Sequence, residues 1–354
     1  MLTRLRWATM LVVCAAALPV TAAANRLEEF RYTDSKTFDV GAAPDVSIET
    51  ISGDCSYTAV DGTTATVDVV IRVRAKNQQE ADEIRDAIEL EIEGENGFLN
   101  VSMKRADRFY QWLNHAKGGS RSTDVSFHVK GPLGADGSLT SVSGDVRAEG
   151  VTGRMELKSV SGDVTAERLG DRLIIGSTSG DLKTTDCKGP ISAETVSGDM
   201  NLESTGADLK IHTVSGDAMI GEVAGACDFH SVSGDVEIRG AHASVSAVTV
   251  SGDIHVDQDK GGFELSTTSG DITVRSAATA TPLHARSISG TVTIAVDPAA
   301  VGEVTLESPS GDIRADVDMK VRRHSDHRLE GLIGNGDGVL SVSTVSGDIL
   351  LSKL

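Results

Sequence analysis

The sequence predicts an all-β fold: a parallel β-solenoid with 18-residue rungs and an N-terminal cap containing one helix. Three observations carry that prediction. The glycine of a Ser-Gly-Asp step falls at 144, 162, 180, 198, 216, 234, 252 and 270, always 18 residues apart. Apolar residues occupy fixed columns within the repeat. Glycine is plentiful, at 37 residues, and aromatics are scarce, at 3%, which disfavours a globular core built on large rings.

The columns come in two pairs. Val146, Val164, Leu182, Met200, Ala218, Val236, Ile254 and Ile272 follow the aspartates directly, with Ala148, Ala166, Thr184, Leu202, Ile220, Ile238, Val256 and Val274 two residues on. A second pair runs through Met155, Leu173, Ile191, Leu209, Cys227, Val245 and Phe263, and through Leu157, Ile175, Ala193, Ile211, Phe229, Ala247 and Leu265. Period two within each pair marks a strand with one buried face. Each repeat is therefore two short strands and two turns, one strict at Ser-Gly-Asp and one looser. Glycine at the strict turn is expected to supply a backbone conformation closed to other residues. Equal spacing in register makes equivalent strands stack in parallel, which a pile of hairpins would not require.

The ends differ from the middle. Arg4 and Arg6, an apolar stretch over 7–20 and Ala22-Ala23-Ala24 read as a secretory signal over 1–24, with the mature chain beginning at Asn25. Cys14 does not complete a lipidation motif, because Val13 stands where a small residue is needed. Residues 25–134 read as an N-terminal cap and first rung. Val46, Ile48, Ser52-Gly53-Asp54, Cys55 and Tyr57 follow the column order, and Ala81, Ile84, Ala87 and Ile88 recur at helical spacing. Residues 135–354 form the repeat domain, with a loop insertion expected over 316–338 on the looser side.

Several of these features together resemble the bacterial adhesin-like family of β-strand-repeat (Ser-Gly-Asp repeat) envelope proteins. They are the leader, the early Ile51-Ser52-Gly53-Asp54 step, the helix-bearing insertion and the run of Val-Ser-Gly-Asp-Val units. The late Ile333-Gly334-Asn335-Gly336 and Thr344-Val345-Ser346-Gly347-Asp348-Ile349 stretches complete the set. The resemblance spans nearly all of the mature chain and implies the fold. It brings no catalytic residues, and Thr291 departs from the aspartate column.

The aspartates are the first candidate site. Asp145, Asp163, Asp181, Asp199, Asp217, Asp235, Asp253 and Asp271 are expected at a pitch of roughly 4.8 Å. Each carboxylate should accept hydrogen bonds from the amides of its own turn. Calcium bridging neighbouring carboxylates is the sharper alternative, and Thr291 would end such a row. Calcium-binding rolls need glycine-rich nonapeptides at both turns, whereas only one turn here is strict. Glu194, His212 and His230 share an outward column, with Asp228 beside it. These are ligand types for a transition metal, although surface histidines are usually just solvated. His324, Asp326 and His327 form a weaker set. Cys187 and Cys227, two rungs apart, are too distant for a disulfide and read, with Cys55, as buried thiols.

No nucleophile elbow, phosphate loop or zinc signature occurs, and a catalytic serine would stand once beside a base rather than in every rung. The expected function is a non-enzymatic, adhesin-like or scaffold protein of the cell envelope or secreted fraction, requiring no cofactor. A polysaccharide-acting β-helix enzyme is the enzymatic alternative. Few aromatics for sugar stacking and no distinctive carboxylate pair weigh against it. Net charge is −19, from 33 basic and 52 acidic residues, so phosphate-driven nucleic-acid binding is excluded. No transmembrane segment is readable. An envelope or surface ligand, protein or polysaccharide, is the expected partner. Ile349-Leu350-Leu351, taken as an open terminal edge, would permit end-to-end self-association into a filament or lattice. The chain should be exported, and periplasmic, outer-membrane-associated or extracellular.

Overall fold

The computed structural model describes residues 27–104, 122–203, 205–277, 283–334 and 336–354, in two compact units divided between Gly153 and Arg154. The leader expectation for 1–24 lies outside the described residues. The chain is nearly all β, in long, largely parallel sheets.

The first unit grows around the early Ser-Gly-Asp step. Strand Asp45–Ser52 lies parallel to Asp136–Ser143, and Cys55–Val60 lies parallel to Val146–Glu149. Ser52 thus sits beside Ser143 and Cys55 beside Val146, so the early step stacks on one 91 residues later. The residues between are insertions. Thr123–Pro132 pairs in parallel with the other edge of Cys55–Val60, and the antiparallel strands Thr64–Ala75 and Glu28–Asp39 continue that sheet. Helix Gln78–Asp86, the only α-helix among the described residues, starts where Asn77 accepts the Glu80 amide at 2.9 Å. It buries Ala81 and Ile84.

The second unit alternates strands between two sheets. The first sheet holds Met155–Ser159, Leu173–Ser179, Ile191–Ser197, Leu209–Ser215, Cys227–His230, Val245–Val248, Phe263–Ser266 and Leu283–Arg286. The second holds Val164–Glu167, Leu182–Thr185, Met200–Leu202, Ala218–Ile220, Val236–Ala241, Ile254–Gln258, Ile272–Ser276 and Val292–Val296. Neighbours within each sheet are parallel, with Leu173 beside Met155 and Ile191 beside Leu173. The apolar columns face one another across the interior and are almost wholly buried.

Glycine in the strict turn has a steric reason stronger than backbone conformation. A Cβ on Gly198, Gly216 or Gly252 would stand 2.1–2.2 Å from the carbonyl oxygen of the preceding rung's glycine. Stacked turns approach so closely that no side chain fits between them.

Past Val296, order in the chain and order in space part company. The strands that stack on Leu283–Arg286 and Val292–Val296 are the last ones, Gly338–Ser343 and Ile349–Lys353. Their other edges carry Val301–Glu307 and Ile313–Asp316, again in parallel. The last rung of the sequence is therefore enclosed on both sides. Ile349 and Leu351 are buried, and the expectation of an open edge at 349–351 is overturned, because both backbone edges of that strand are already paired. The 316–338 insertion is not a loop either. Met319–Ser325 and Arg328–Ile333 form an antiparallel hairpin that extends the first sheet beyond Val301–Glu307 and buries Ile333. Its outer strand carries Lys320, Arg322 and Arg323, charges of the kind that keep an edge from pairing with another chain.

Candidate functional site

The Ser-Gly-Asp turns of the second unit line up into one corner. Hydropathy inverts there. Thr195, Thr213, Ser231 and Thr249 point inward and are buried, while Val196, Val214, Val232 and Val250, the next residues, are 48–52% exposed. Val160 and Ile288 continue the outward row, and Thr178 and Thr268 interrupt it with side chains of similar shape. The serine backbones form their own continuous ladder, 215 to 233 to 251 to 269 to 289 to 346.

Parallel to the valines runs the aspartate row. The Asp181 amide donates to Asp163 Oδ1 at 2.9 Å, and the same bond recurs up the stack to Thr291, whose amide donates to Asp271 Oδ1 at 2.7 Å. The amide that satisfies each carboxylate thus comes from the following rung, not from its own turn as the sequence had implied. A turn amide at that position points along the stack, towards the neighbour. Asp348 repeats the bond with the Asp312 amide at 2.9 Å, which independently records the exchanged order of the last rungs.

Carboxylates spaced at about 4.8 Å repel by roughly 0.9 kcal/mol per neighbouring pair in bulk water. The amide at each Oδ1 offsets part of this. Asp181, Asp199, Asp217, Asp235, Asp253 and Asp271 have no ion-pair partner among the described residues, whereas Glu156, Glu237, Asp257 and Glu303 pair with Lys158, Arg239, Arg275 and Arg322. Beside the row lies a shallow groove of about 520 Å³, lined by Asp163, Asp181, Asp199, Asp217, Lys183 and the exposed Met219, so its charge is acidic in balance.

The second candidate set is also brought together. Glu194 lies beside His212 and His212 beside His230 in register. The two imidazoles stack with centroids 5.3 Å apart, and His230 Nε2 meets Asp228 Oδ1 at 3.0 Å. This column lies two residues before the valine row on the same outward face. Among the described residues, no group of three or more His, Cys, Asp or Glu side chains converges to hold a metal ion. His324, Asp326 and His327 lie at the exposed tip of the hairpin. Cys55, Cys187 and Cys227 are free and buried; burial pushes the thiols of Cys55 and Cys227 up to about 12 and raises that of Cys187. The valine row is the feature that reading the sequence by burial columns missed, although a Val preceding nearly every Ser-Gly-Asp was its signal.

A family model for Toastrack DUF4097 matches residues 33–225 and, overlapping, 188–352. The chain belongs to this family. Among solved structures, an adhesin candidate from Parabacteroides merdae is 14% identical, with 75% of this Toastrack chain and 95% of that chain covered and a TM-score of 0.35. An adhesin candidate from Parabacteroides distasonis is 12% identical, covering 90% and 97% at a TM-score of 0.30. A lipid-binding candidate from the same species is 15% identical, covering 91% and 97% at 0.33. No curated protein matches the chain. Among the described residues, no helix of this Toastrack protein is long and apolar enough to cross a membrane.

Proposed function

We propose that the exported chain is a non-enzymatic, adhesin-like or scaffold protein of the cell envelope or secreted fraction. On this reading, 18-residue rungs, begun by an N-terminal cap over 25–134, present a repeating surface to an envelope or surface ligand. The observation that carries it is the Val-Ser-Gly-Asp corner. Exposed apolar side chains, and carboxylates that from Asp181 to Asp271 have no ion-pair partner among the described residues, recur there in parallel rows, which is a repeated surface rather than a single reaction centre. Glycoside cleavage by paired carboxylates needs the two held in different environments, one as acid and one as base or nucleophile. Here the carboxylates occupy the same environment in each rung and their Oδ1 atoms are engaged in the same bond.

The test uses the mature chain, added to envelope fractions separated into protein and polysaccharide. Saturable attachment that falls when Val214 and Val232 are both replaced by lysine supports the reading. Depolymerisation of an envelope polysaccharide by the purified chain, or attachment indifferent to the corner, overturns it.

A further inference from the structure

The corner also restricts what can cover it. Its valines stay 46–52% exposed, and among the described residues the six carboxylates from Asp181 to Asp271 have no ion-pair partner, with Lys183 the one cation lining the groove beside them. A partner that buries the valines must bring positive charge to the aspartates beside them. Only two residues separate each valine from its aspartate, so the rows lie no more than roughly 10 Å apart. That is about the breadth of an α-helix with its side chains. A helix laid along the stack repeats every 5.4 Å against a rung pitch near 4.8 Å, so it drifts about 2 Å over four rungs, within the reach of long basic side chains. An extended strand in the same place repeats its facing residues about every 6.7 Å and loses register within two rungs.

We propose that the Val-Ser-Gly-Asp corner of the second unit binds a basic amphipathic helix lying parallel to the stacking axis. Its apolar stripe packs on Val160, Val196, Val214, Val232 and Val250. Its basic flank lies over the aspartates and reaches into the groove at Met219. The five rung steps from Val160 to Val250 span about 24 Å, the length of roughly 16 helical residues. The inference rests on the corner being the binding surface, as in the function above, and adds the class of partner.

The probe is a 16-residue Leu/Lys model peptide that folds as an amphipathic helix, titrated by fluorescence anisotropy against the full mature chain. A Leu/Glu counterpart and an oligolysine of equal charge are the controls. Saturable binding of the Leu/Lys helix alone is expected, weakened about tenfold by Val214→Ser with Val232→Ser, and about as much by Asp199→Asn with Asp217→Asn. Both double variants should fold, because the valines are exposed and an asparagine Oδ1 still accepts the amide of the next rung; unchanged melting checks this. Absence of saturable binding overturns the proposal. So does oligolysine binding as well as the helix with the valine variants indifferent, which is polyelectrolyte attraction alone. If corner variants still abolish envelope attachment while the Leu/Lys helix fails to bind, the helical partner falls and the function reading stands.

Discussion

The middle of the second unit and its C-terminal end use the same repeat in different ways. In the middle, spacing is uniform, chain order is stack order, and four successive inner hydroxyls, on Thr195, Thr213, Ser231 and Thr249, have no hydrogen-bond partner among the described residues. On both sides of these four the equivalent hydroxyls are engaged, through Ser177, which donates to the Gly162 carbonyl at 3.2 Å, and from Thr267 on into the end where the spacing breaks and the last rung is exchanged. Thr267 donates to the Gly252 carbonyl at 3.2 Å, Ser287 to Gly270 at 3.1 Å, Thr344 to Gly290 at 3.2 Å and Ser308 to Gly347 at 2.8 Å. Regularity of sequence is therefore not a measure of how tightly a rung is held. Ser177 and Thr267 make this bond within the uniform spacing and the exchanged rungs make it too, so it belongs to individual rungs rather than to the order in which they stack.

The largest effect should come from removing residues 344–354. If Ile349–Lys353 were an edge strand, its loss would leave the other rungs paired. Because it is enclosed, its loss exposes Val292–Val296 and Ile313–Asp316 together and removes the buried Ile349 and Leu351. A loss of about 4–10 kcal/mol is expected from those two side chains alone. Urea unfolding and limited proteolysis should show residues 301–343 cut first. A truncated chain with that region still resistant would contradict the exchanged order. A smaller effect separates the two sets of hydroxyls. Thr267→Val should cost about 1 kcal/mol by leaving the Gly252 carbonyl without its donor, whereas Thr213→Val should be neutral or stabilising. Equal losses by urea midpoint would dissolve the contrast. Smallest is the loose turn of the regular stretch, where Arg168 and Asp186 adopt φ of 54° and 55°. Arg168→Gly should raise stability by about 0.5 kcal/mol, the relief of left-handed strain less the entropy that glycine loses on folding. A lower melting temperature would mean that its side chain does more than its backbone costs.

Much of the fold was readable because one face of each strand is buried, so period two and the 18-residue spacing place Leu173, Ile191 and Leu209 in one column. Exchange of the last rung was not readable. Leu283, Val304 and Leu340 all satisfy the column, and spacing cannot say which of the last two stacks on the first. Strand Glu89–Glu95 alternates strictly between glutamates and Leu90, Ile92 and Gly94, a period-two signal that lies outside the 18-residue register. At the corner, the rule that apolar residues go inside fails. The chain turns between Thr195 and Met200, and it is the threonine whose side chain remains on the inner face. Glu194, His212 and His230 were placed together correctly by counting, because the register is uniform there. What joins them to the valine row is their shared outward face.

The enclosed last rung also sets a clock. Neighbouring rungs in the middle are joined across 18 residues, whereas Val292 waits for Ile349, 57 residues later. The added loop-closure cost is modest, about 1 kcal/mol. The consequence lies in sequence of events. A chain emerging N-terminus first can complete each middle rung as it appears, yet it must hold Val292–Val296 open while Val301–Glu307, Ile313–Asp316 and the hairpin pass by. The gap is filled by Gly338–Ser343 and Ile349–Lys353. Longer-range contacts form more slowly, so Gly338–Ser343 and Ile349–Lys353 decide when the stack closes, and a molecule that lacks them leaves Val292–Val296 unpaired on that side.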